Sequence, residues 1–94
     1  MGVSVSPIIY NKTMTSANTE YSQTLPVGTR KFLIKCRASY AIKLAFVSTE
    51  SGTTYVTIPP DRAYKEEDLS LSGTRILYFQ CATAAQVAEI IVWT

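Results

Sequence analysis

GTRKFLIKC, residues 28–36, is the stretch on which the fold turns. In an extended chain Arg30, Phe32, Ile34 and Cys36 fall on one side, and Lys31, Leu33, Lys35 and Arg37 on the other. The first side is apolar after its opening residue and the second is mostly basic. A period of two with one apolar side marks a strand buried on one face. The chain nearly repeats itself 45 residues later, as GTRILYFQC at 73–81. Almost every residue there is apolar or aromatic, which predicts a strand covered on both faces or set at a subunit contact.

Working outward, Tyr21, Gln23 and Leu25 alternate up to Pro26-Val27-Gly28, a turn signal in which Pro fixes φ and Gly admits positive φ. Residues 41–48 alternate again, with Ile42, Leu44 and Phe46 inward, and Glu50-Ser51-Gly52 supplies a turn. Residues 53–58 are β-branched and aromatic until Pro59-Pro60-Asp61 stops them. DRAYKEEDLSLSG, residues 61–73, has no helical stripe and reads as a loop or edge strand at 63–66, and residues 87–93 close the chain as a strong strand.

These segments predict an all-β protein: a small β-sandwich or jelly-roll of about six to eight short antiparallel strands. Its expected core is Phe32, Ile34, Leu44, Phe46, Leu77, Phe79, Ile90 and Val92. Residues 1–19 are rich in Ser, Thr and Asn, with one apolar cluster, Pro7-Ile8-Ile9-Tyr10. They read as an extended N-terminal arm, or a short edge strand, ahead of a sandwich domain at 20–94. On the arm reading, a chain starting near Thr19 stays folded but assembles poorly.

Overlaid at an offset of 45, residues 28–48 and 73–93 also match Ile42 with Val87, Phe46 with Ile91, and Val47 with Val92. Duplication is one reading; similar hairpins in two sheets, built with similar residues, is the expected one. Two cysteines and no histidine cannot form a tetrahedral zinc site within the chain. Cys36 and Cys81 fit either a disulfide or two buried thiols, and buried thiols are expected.

A chain of 94 residues is one domain near the small end of what buries its own core. With 47% hydrophobic residues it is globular, and with only 17% charged it is expected to cover part of its surface with a neighbour, as a homo-oligomer. The net charge is +2, and strand alternation divides the basic cluster Arg30, Lys31, Lys35 and Arg37 between faces, so no nucleic-acid partner is expected. Without histidine the commonest general base and the familiar triads are absent. Glu66, Glu67 and Asp68 read as a solvated turn, and neither GTR nor SGTT has phosphate-loop spacing. The expectation is a non-enzyme without cofactor or metal.

The opening MGVSVSPIIYNK has no basic start, and no stretch approaches the roughly 20 apolar residues of a membrane span, so neither a secretory signal nor a membrane contact is expected. The six tyrosines could stack on sugars, but tyrosine is also common in strands and contact surfaces. The candidate interface residues are Ile8, Ile9, Tyr10, Tyr55 and Tyr64.

EYSQTLPVGTRKFLIKCR (20–37) and LYFQCATAAQVAEIIVWT (77–94) resemble small proteins encoded among the structural genes of tailed bacteriophages. The likeness runs from about Tyr21 to Thr94 and is most distinctive at Leu25-Pro26, Gly28-Thr29, Cys36, the CATAA of 81–85, and Trp93. The resemblance implies a virion component assembled in the host cytoplasm: a capsid decoration (cement) protein, or a head–tail or tail accessory. Its implied partners are the major capsid protein or other virion proteins, and a loose arm would suit strand addition to a neighbour's sheet edge. The alternative is a tail or fibre module that recognises host-surface carbohydrate or another virion protein through exposed tyrosines.

Overall fold

The computed structural model describes residues 7–94. It contains eight strands: β1 (Ile8–Met14), β2 (Tyr21–Leu25), β3 (Lys31–Cys36), β4 (Ile42–Ala45), β5 (Val56–Ile58), β6 (Ala63–Glu66), β7 (Arg75–Gln80) and β8 (Gln86–Trp93). No helix is present among the described residues. The strands form two four-stranded antiparallel sheets, one ordered β1-β8-β3-β6 and the other β2-β7-β4-β5. We call them the first and second sheets.

The order has a simple logic. β1 and β2, β3 and β4, β5 and β6, and β7 and β8 each form an arm that bends from one sheet into the other. The four arms lie side by side in the same sequence in both sheets. This is the winding of a jelly roll, one of the two all-β architectures expected. The arm bends meet at one end of the sandwich: Asn18 donates its N–H to the Cys81 carbonyl at 2.8 Å, and the Ser39 hydroxyl donates to Asp61 at 2.6 Å. The loops at 26–30 and 67–74 meet at the opposite end, the mouth, where Gly28 N–H donates to the Leu71 carbonyl at 3.0 Å.

Seven of the eight expected core residues are fully buried. Phe46 is the correction: it is 39% exposed. β4 ends at Ala45, so the alternation stops one residue early and the chain leaves the sheet with the Phe46 ring at the mouth.

The arm at residues 1–19 is the second correction. Residues 8–14 pair along their whole length with β8, from Ile8 opposite Val92 to Met14 opposite Gln86. Met14 is completely buried in the central cluster. This segment takes the edge-strand reading and not that of an extended arm. The part of the expected arm at residues 1–6 lies outside the described residues.

The doubled segment is not a pair of hairpins, since each copy crosses between sheets and the copies pair with each other, β3 with β8 and β4 with β7. Phe32 and Leu77, Ile34 and Phe79, and Cys36 and Cys81 are buried in phase. After the bend the phase breaks. Buried Ile42 lies six positions after Cys36, but buried Ala88 lies seven positions after Cys81. The extra residue moves Val87 and Ile91 to the outer face, because a shift of one flips every side chain of a strand. Both cysteines are buried and unbridged.

β7 was expected to be buried on both faces or set at a subunit contact, and within the chain it is covered on its outer face only at Gln80. There the loop between β4 and β5 folds back over the second sheet, and Gln80 donates its amide N–H to the Ser51 carbonyl at 2.8 Å. Ile76 and Tyr78, on the same outer face, are partly exposed.

Candidate docking surface

The outer face of the first sheet is assembled by register. Ile9 lies opposite Ile91, Ile91 opposite Leu33, and Leu33 opposite Lys65. Directly opposed side chains in a sheet have Cβ atoms about 4.5–5.5 Å apart. Ile9, Ile91 and Leu33 therefore make a continuous apolar row across three strands, with Ile9 62% exposed and the other two partly so. Toward the mouth, Trp93 lies opposite Lys31, whose ammonium sits 4.8 Å from the indole centroid.

Charges border this row toward the mouth, toward the bends and on β6. Glu89 accepts from Arg37 Nε at 2.7 Å and lies 3.6 Å from Lys35 Nζ. The hydrogen bond from Arg37 outweighs partial desolvation and, with both cations nearby, holds the Glu89 carboxyl below its ordinary range. Glu67 lies 3.3 Å from Lys65 and 3.9 Å from Lys31. Two carboxylates are thus shared among four cations, and the face keeps a positive excess around an apolar centre.

The edges of this sheet are built differently. Lys12, opposite buried Ala88, shares the inner side of β1 with Tyr10 and Met14. Glu66, opposite buried Phe32, shares the inner side of β6 with Tyr64. Charges aimed inward on edge strands oppose the pairing of a further strand. The broad face, and not the edge, is the surface suited to a partner.

The five residues expected at an interface do not converge. Ile9 joins the apolar row, whereas Ile8 and Tyr10 turn to the inner side of the same strand, Ile8 38% exposed and Tyr10 packed on the core. Tyr55 stands at the margin of β5 on the second sheet, 39% exposed, with Lys43 Nζ 4.9 Å from its ring centroid. Tyr64 lies near the mouth, its ring 6.1 Å from Phe32 and 6.2 Å from Phe46. Its hydroxyl donates to Glu66 at 2.9 Å, and burial together with that carboxylate raises its pKa. Leu33, Ile91 and Trp93 were missed. The signal was present as apolar residues in the outward phase of β3 and β8, but without the strand order nothing aligned them.

Two further features lie on the second sheet and at the mouth. The Glu20 carboxylate accepts from Thr49 N–H at 2.8 Å, Ser51 N–H at 3.1 Å and the Ser51 hydroxyl at 2.6 Å, clasping the β4–β5 loop. Desolvation works to raise this carboxyl, but the hydrogen bonds from Ser51 and Thr49 together outweigh it and lower its pKa. Beside the loop, a cleft of about 540 Å³ runs along the start of β7 between Phe46 and the 70–74 segment. Among the described residues no group of three or more Cys, Asp or Glu could hold a metal ion, and no helix is long and apolar enough to cross a membrane.

No protein family and no curated protein matches the chain. Among solved structures it is similar to a de novo designed double-stranded β-helix determined by solution NMR, with a TM-score of 0.62 and 17% identity. The match covers 93% of this chain and 99% of that one. At that identity the likeness shows the fold alone.

Proposed function

We propose that the protein is a bacteriophage capsid decoration protein, acting by contact and not by catalysis. It docks the outer face of the first sheet onto an acidic surface of the capsid subunits. The observation that carries the docking mode is the apolar row Ile9–Ile91–Leu33 bordered on three sides by charged groups with an excess of cations. An apolar centre removed from water supplies affinity, and the charged rim selects and orients the partner. The virion setting rests on the resemblance of residues 21–94 to proteins encoded with phage structural genes. Copies form homo-oligomeric clusters on the particle, where symmetry multiplies a modest contact.

The test is incorporation. Tagged protein supplied during particle assembly is expected to co-purify with virions at a fixed ratio to the capsid subunit, measured by quantitative mass spectrometry. Ile9→Asp and Leu33→Asp should remain folded and fail to incorporate, and salt should release the native protein. Absence from particles, or normal incorporation of both variants, sinks the proposal.

A further inference from the structure

We propose that the cleft at the mouth of the sandwich is a binding site for a neutral saccharide, separate from the docking face. Its volume of about 540 Å³ falls within the range of small-molecule sites. Its lining combines three kinds of group. Phe46 and Tyr78 supply aromatic surface, Ser70, Ser72 and Thr74 supply hydroxyls, and Arg75 supplies a guanidinium.

The arginine decides the ligand class. Arg75 Nη1 donates to Glu66 Oε1 at 3.1 Å, and its guanidinium carbon lies 5.6 Å from the Phe46 ring centroid. The group is thus held from two sides, while most of its five N–H donors have no protein acceptor among the described residues. Its charge is matched by Glu66, which in turn is fixed by the Tyr64 hydroxyl. A site whose one cation is already paired has little net attraction for an anion. Its fixed N–H donors and its hydroxyls, each both donor and acceptor, instead match ligand hydroxyl groups. The C–H faces of a sugar ring complete the match by packing on Phe46 and Tyr78.

The position also explains Phe46. A phenylalanine 39% exposed beside an oriented arginine is poorly placed for stability and well placed as a platform. The cleft is framed by the 67–74 segment and by the start of the β4–β5 loop, and such loops on a rigid sandwich are where binding groups concentrate.

The full chain should be screened against a glycan panel containing neutral and acidic sugars, and hits confirmed by calorimetric titration. Binding to neutral glycans is expected, with Phe46→Ala and Arg75→Ala each weakening it roughly tenfold or more, about the loss of one good contact. Melting curves verify that each variant is folded, and Ser72→Ala serves as a milder variant if either is not. Ile9→Asp, on the docking face, should leave glycan binding unchanged, so this site and the docking proposal fail independently. No binding across the panel, binding confined to acidic glycans, or binding untouched by the folded variants overturns the inference.

Discussion

Phe32 and Phe46 have identical side chains in opposite situations, the first fully buried and the second 39% exposed. Phe32→Ala should cost roughly 3–5 kcal/mol in a denaturant titration, as for other large core truncations. Phe46→Ala should cost only about 1–2 kcal/mol, because much of its ring is already in water. The sequence placed both in one class, since Phe46 continues the alternation of Ile42 and Leu44 and nothing local marks Ala45 as the strand's last residue. Ala85 shows another limit. It adopts φ +62° within the bend between β7 and β8, a conformation that disfavours any residue with a Cβ. Ala85→Gly should therefore raise stability by about 0.5–1 kcal/mol, visible as a higher melting temperature. Gly28, at φ +88°, already has the residue its turn requires, whereas Gly73 in the matching GTR does not adopt positive φ. The two tripeptides are alike in letters and unlike in conformation.

At the scale of elements, β1 is where sequence and structure part most clearly. Its outward residues Asn11 and Thr13, with Lys12 between them, resemble a solvated tail, and only Met14 at its end is deeply buried. A chain beginning at Thr19 loses the whole β1–β8 ladder and the Met14 side chain, so it should be insoluble or melt far below the intact protein. The strands whose inward residues alternate cleanly, β3 and β8, were legible, because period two needs no partner to be seen. The sheet order was not legible, since it depends on pairings between residues more than 50 apart, such as Lys35 with Glu89. The β4–β5 loop makes an acid-sensitive element. Glu20 has a folded pKa below its ordinary 4.5, so its stabilising contribution is complete above that value and is lost as pH falls through the lowered one. Glu89 acts in the same direction. Melting temperature should drop on acidification through this window, and Glu20→Gln should flatten part of the drop.

For the molecule as a whole, the two thiols bear on its setting. Cys36 and Cys81 are buried and unbridged, so reductant should leave the melting temperature unchanged, and thiol reagents should react fully only after denaturation. A large reductant effect would mean the two strands are joined covalently. The outer face of the first sheet and the mouth cleft point in different directions from one small core. A change such as Leu33→Asp on the face should therefore leave the cleft intact.

The winding of the four arms carries a consequence for how the protein is made. β8 lies between β1 and β3, and β7 lies between β2 and β4, so one of the two central strands in each sheet is among the last two of the eight to be synthesised. Until β7 and β8 arrive, β1 and β2 have no partners at all, and only the ladders joining β3 to β6 and β4 to β5 can form. On the ribosome this chain must wait as two separated fragments with open edges, and closure comes in a single late step. A nascent chain arrested after Gln80 should be degraded readily by protease, while one released after Trp93 should become resistant. Refolding should be slow for the chain's length, because almost every stabilising pairing spans a long loop.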